Sequence, residues 1–156
     1  MIKLFDPIVS KKEEKALIDT FRSHFWASGE GTNSVYNFEQ KFKKYVGAKE
    51  CVAVNSGTAA LSLALSMYNI KNKEVIIPSL SFVSTANAII ENGGIPKFVD
   101  IDENTLCIDP EKIIKAISKK TKVILPVHFG GLPSNLKSIL KISKEHKISV
   151  VEDAAH

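Results

Sequence analysis

The stretch VIIPSLSFVSTANAIIENGGIPKFV, residues 75–99, decides the fold. Val75 to Ile77 is a short apolar run of strand type, residues 82–91 read as a helix, and Lys97 to Val99 is a second apolar run. A strand, a helix and a strand in that order make a parallel pair, because the crossover returns the chain to the end at which it started. Working outward, the pattern repeats on both sides. Further strands are expected at Cys51 to Val54, Val123 to Val127 and Ile148 to Val151, with helices at 58–68, 110–118 and 135–146. Asp109 before Pro110 marks one helix start. Alternation of this kind predicts an α/β fold, a mainly parallel sheet with helices on both faces.

Before Cys51 the chain has a different character. Ser10 followed by Glu13 is a capping box, and Ala16, Leu17, Phe21 and Phe25 follow near helical spacing, so a first helix is expected over residues 10–25. The run from Trp26 to Gly31 breaks it. Phe38, Phe42, Tyr45 and Val46 form a second apolar stripe that ends at Gly47. The expected organisation is an N-terminal helical segment, residues 1–50, followed by an α/β domain over residues 51–156.

Composition narrows the classes of function. The chain has 156 residues, 44% hydrophobic and 24% charged, enough for one domain with a core. Its net charge of +4 comes from scattered lysines, with Arg22 the only arginine, which suits solvated helix faces and argues against a nucleic-acid interface. Cys51 and Cys107 make no disulfide framework and no metal-ligand spacing; Cys51, in an apolar run, reads as core. No signal-peptide core or bilayer-length run is visible, so a cytoplasmic protein without a membrane segment is expected.

In an open α/β sheet, ligands bind beyond the carboxyl ends of the strands. The loops expected there are Asn55-Ser56-Gly57-Thr58, Pro78-Ser79-Leu80-Ser81-Phe82, His128-Phe129-Gly130-Gly131 and Glu152-Asp153-Ala154-Ala155-His156. Ser56, Gly57 and Thr58 open a helix and have the chemistry of a phosphate cradle; a plain Ser or Thr helix cap would look the same. Asp153 at a strand end has two readings. It is either a partly buried carboxylate that needs a cationic partner, such as a protonated pyridine nitrogen, or a helix cap. Phe82 is either a stacking aromatic or part of the core. His128 either lines the same cavity or is satisfied at its strand end, and Glu152 reads as structural or solvent-facing.

Taken in order, these blocks resemble one family. Ser28-Gly29, the Phe38-Glu39 helix, Asn55 to Leu61, Pro78 to Ile89, Pro96 to Asp102, Pro126 to Gly130 and Glu152 to His156 together are similar to the N-terminal part of the DegT-like nucleotide-sugar aminotransferases, a branch of the fold-type I enzymes that use pyridoxal phosphate (PLP). The resemblance implies a fold-type I large domain and a role for each matching residue. Gly57 and Thr58, with Ser56 beside them, would hold the phosphate; Phe82 would stack on the pyridine ring; Asp153 would meet the ring nitrogen; and His156 would pack near the ring hydroxyl.

The implied reaction moves an amino group from an amino acid, usually glutamate, to a nucleotide-linked keto sugar. The family's Schiff-base lysine falls beyond residue 156, so no residue of this chain is assigned as catalytic, and the chain is expected to be a truncated domain, inactive alone. A homodimer is implied as well. Two alternatives stand beside this reading: a PLP-dependent sugar 3-dehydratase of the same fold, and a non-catalytic module that binds the cofactor or a nucleotide sugar.

Overall fold

The computed structural model describes residues 6–26 and 34–156. Ser28 and Gly29, and most of the expected helix break, lie outside them. The chain divides into two compact units, Met1–Ala53 and Val54–His156.

The first unit holds α1, Lys11–Arg22, and α2, Ser34–Val46. At the start of α1 the Ser10 hydroxyl accepts from the Lys12 amide at 3.2 Å while the Glu13 carboxylate accepts from the Ser10 amide at 2.7 Å. The capping box is therefore formed, and it satisfies amides that the first helical turn leaves without partners. Gly47 ends α2 with φ +70°, a left-handed conformation that glycine adopts without Cβ strain.

The second unit is built on a four-stranded parallel sheet of β1, Glu74–Pro78, β2, Ile95–Val99, β3, Thr121–Ile124, and β4, Ser149–Val150, in the order β2-β1-β3-β4. Its helices are α3, Gly57–Ser66, α4, Val83–Glu91, α5, Pro110–Ala116, and α6, Leu136–His146. The two-residue period of a strand sends alternate side chains to opposite faces. Val75 and Ile77 of β1, with Val123 and Leu125, pack against Leu61, Leu65, Ala88 and Ile89 of α3 and α4. Ile76 and Ile124 point the other way, into Ile113 of α5 and Ile139 and Ile142 of α6. Both faces are thus covered, as the apolar runs predict. Leu65, Ile77, Ile89, Ile124 and Ile139 are fully buried, and each contributes about 1.5–3 kcal/mol by leaving water.

One expected strand is not formed. Cys51 to Val54 carries no ladder, and Cys51 is half-buried rather than core. An apolar run becomes a strand only through a partner. Here the segment's Ala53 amide donates to the Glu39 carboxylate at 2.8 Å instead. The remaining strand and helix positions agree with the periodicity to within a few residues at their ends. Asp109 caps α5 by accepting from the Glu111 amide at 2.8 Å, with Pro110 at the first helical position, as expected. Among the described residues no helix is long and apolar enough to cross a membrane.

Candidate functional site

Helix α3 opens the site. Ser56 is its N-cap: the side chain accepts from the Ala59 amide at 3.1 Å, and the Ser56 carbonyl accepts from the Ala60 amide at 3.0 Å. The amides of Gly57 and Thr58 are left without acceptors among the described residues, which is the usual state of a helix start facing an external anion. A Cβ placed on Gly57 would meet no atom within 4 Å, so the chain's own packing does not account for the glycine.

The parallel sheet brings Asp153 to the same place. Past β4 the chain stays in register with the segment after β3: Val127 and Asp153 form a parallel bridge, the Asp153 amide donates to the Pro126 carbonyl at 2.9 Å, and the His128 amide donates to the Asp153 carbonyl at 3.1 Å. Asp153 is buried, with 8% of the residue exposed. Its Oδ2 accepts from the Thr85 hydroxyl at 2.9 Å and its Oδ1 from the Ala155 amide at 3.2 Å. The sequence suggests a cationic partner, but none of the described residues forms an ion pair with it. A buried carboxylate held only by neutral donors is a costly arrangement that a cation entering from the cavity would relieve.

Gly57, Thr58, Phe82, Asp153 and His156 line one cavity of about 260 Å³, together with Leu61, Ser84 and Ala155. Five of the six residues singled out in the sequence therefore meet at one place. Ser56, the sixth, borders a neighbouring concavity along α3 with Asn55 and Ser62, so its contribution is the cap that leaves the next two amides open. Phe82 sits immediately before α4 and is 76% exposed, which removes the core reading. The His156 ring accepts from the Gly130 amide through Nδ1 at 2.9 Å and stands edge-on to Phe129.

His128 is not part of the lining. Its Nδ1 accepts from the Ser134 amide at 3.1 Å, which puts the proton of the neutral ring on Nε2, where it donates to Glu152 at 2.9 Å. The Ser134 hydroxyl is already spent on the Val127 carbonyl at 3.0 Å. This histidine therefore ties the loop after β3 to the end of β4, and Glu152 is its structural partner.

Thr85 escaped sequence reasoning. It is fully buried in α4 on the face that also carries Ala88 and Ile89, and it reaches Asp153 across the core. A hydroxyl on an apolar helical stripe was the available signal, since a buried hydroxyl must find a partner.

Comparison with known proteins places the chain among relatives of known kind. The spore coat polysaccharide biosynthesis protein SpsC of Bacillus subtilis is 46% identical over 151 residues, which cover 96% of this chain and 38% of that protein. The crystal structure of NtdA from Bacillus subtilis with bound cofactor PMP superposes with a TM-score of 0.86 at 35% identity, over 94% of this chain and 34% of that one. A GDP-4-keto-6-deoxymannose-3-dehydratase with a trapped PLP-glutamate geminal diamine matches with a TM-score of 0.86 at 34% identity, over 97% of this chain and 40% of that one. The chain thus spans about two fifths or less of the length of these relatives. Residues 7–156 match the model of the DegT/DnrJ/EryC1/StrS aminotransferase family, and the chain belongs to that family.

Proposed function

We propose that this chain carries the cofactor-binding part of a PLP-dependent aminotransferase that moves an amino group from an amino acid, glutamate by preference, to a nucleotide-linked keto sugar. The observation that carries the reading is the shared cavity of Thr58 and Asp153. Its lining offers amides unpaired among the described residues, suited to a phosphate dianion, and a buried carboxylate with no ion pair among those residues; PLP presents a phosphate and a protonatable ring nitrogen on one small molecule. The residues therefore fit the group.

In this reading Gly57 and Thr58 donate their amides to the phosphate, with the Ser56 cap holding that turn open. Phe82 covers one ring face, and Asp153 accepts from the ring nitrogen. His156, fixed by Gly130, packs near the ring hydroxyl. Bound there, the cofactor supplies the electron sink for amino transfer. No lysine of residues 1–156 is assigned the covalent role, and residues 51–156 are read as the cofactor domain of a cytoplasmic homodimer.

A sugar 3-dehydratase is the second reading, favoured by a likeness to the dehydratase structure equal to that with NtdA. The residue that occupies the lysine position in the full-length protein separates the two.

Pyridoxamine phosphate, which needs no covalent anchor, tests the site. Asp153→Asn keeps the shape and removes the charge, so affinity should fall about 10- to 100-fold, the value of one charge-assisted hydrogen bond. Unchanged affinity measured by calorimetry, with folding verified by circular dichroism, would remove Asp153 from the site.

A further inference from the structure

Threonines inside helices usually spend their hydroxyl on a carbonyl three or four residues back. Thr85 does not. It is the third residue of α4 and fully buried, and its hydroxyl lies 2.7 Å from Ser81 Oγ and 2.9 Å from Asp153 Oδ2, a partner 68 residues away in sequence. An ionised carboxylate only accepts, so the single Thr85 proton points at Asp153. Ser81 must then donate to Thr85, which fixes the direction of the whole relay from Ser81 through Thr85 to Asp153. The Ala155 amide holds the other carboxylate oxygen. Two donors on two oxygens fix both the position and the plane of the group, and the relay polarises the bond that reaches it.

Packing alone does not call for the hydroxyl. Thr85 lies on the same face as Ala88 and Ile89, which are apolar members of the core, so burial on that face does not by itself require a hydroxyl. Phe82 stands at the entrance to the same helix, so one turn of α4 carries both the exposed ring and the donor to the carboxylate.

We infer that Thr85, backed by Ser81, is a positioning residue that aims the Asp153 carboxylate at the ring nitrogen of the cofactor. The inference rests on the reading above that Asp153 meets that nitrogen. It makes Thr85 matter for ligands that carry the nitrogen and not for those that lack it, a selectivity that a purely structural tie would not produce.

The test compares pyridoxamine phosphate with its analogue in which the ring nitrogen is replaced by C–H, both titrated into the full chain. Thr85→Val should weaken pyridoxamine phosphate about tenfold, the lower end of what one hydrogen bond to a charged group contributes, and leave the analogue within about twofold. Thr85→Ser, which restores the hydroxyl, should recover affinity to within about twofold. In an Asp153→Asn background, Thr85→Val should have no further effect on either ligand. Equal losses for both ligands, or no loss for pyridoxamine phosphate, would overturn the inference. If Thr85→Val does not fold, Ser81→Ala takes its place, with a selective loss of about two- to threefold expected and a non-selective one, or none, counting as refutation. Asp153→Asn alone separates the two claims. If it leaves affinity intact, the reading of Asp153 fails; if it lowers affinity while Thr85→Val does not, only the relay fails.

Discussion

Glu74, at the start of β1, holds the end of the sheet opposite the cavity. Its Oε2 accepts from the Ser118 hydroxyl, from Thr121 Oγ1 at 3.1 Å and from Lys97 Nζ at 3.2 Å, so one carboxylate joins β1 to β2, to β3 and to the turn after α5. The Ser118 hydrogen bond, helped by hydrogen bonds from Lys97 and Thr121 and by the Lys97 charge, outweighs the opposing effect of burial and holds its carboxyl below the ordinary value of 4.5. Glu74→Gln keeps an acceptor of the same shape and removes the charge. Bonds to a charged acceptor contribute about 1.5–3 kcal/mol and neutral ones about 0.5–1.5. Allowing for the partial exposure of the group, the substitution should cost about 1–2 kcal/mol, a fall in Tm of about 2–8 °C for a chain of this size. The sign with pH follows from the direction of the shift. A carboxylate whose folded value is depressed contributes stability that is complete above its unfolded value and is lost as pH falls through the folded one. The gap between parent and Glu74→Gln, measured by thermal unfolding across a pH series, should therefore be full near neutrality and close below the folded value. A variant as stable as the parent at neutral pH, or a gap that widens in acid, would refute the assignment.

Two further substitutions test other parts of the architecture. A Cβ at Gly94 would stand 2.8 Å from Ile89 Cγ2 and 3.2 Å from the Ile89 carbonyl oxygen, so Gly94→Ala should lower stability by about 1–3 kcal/mol in a denaturant titration, the usual cost of overpacking. His128→Leu removes the acceptor of the Ser134 amide and should cost about 1–3 kcal/mol. Faster hydrogen exchange at Ser134 is its signature, and unchanged protection there would rule out the hydrogen bond from the Ser134 amide to His128.

The legible part of this molecule was written in periodicities. Val75, Ile76 and Ile77 lie next to one another in sequence and go to opposite cores, and a continuous apolar run of that kind means a strand covered on both faces. Caps at Ser10 and Asp109 were equally plain, because a cap depends on neighbours within a few residues. Cys51 to Val54 has the same apolar character as β1 and is not a strand, since pairing depends on what lies alongside it in space. The Thr85 bond to Asp153 was out of reach for the same reason: nothing local to either residue names the other.

Residue types and spacing, taken alone, determine the α/β class and the loops in which polar groups collect, because these follow from short-range rules that each segment obeys independently; the order of the motif blocks carries the resemblance to the family. Tertiary structure alone decides that Gly57, Thr58, Phe82, Asp153 and His156 share one cavity, that His128 is kept out of it, and that Thr85 donates to Asp153 from a distant helix. Those outcomes depend on how β1, β3 and β4 stack their ends against the starts of α3 and α4, a matter of register between segments distant along the chain.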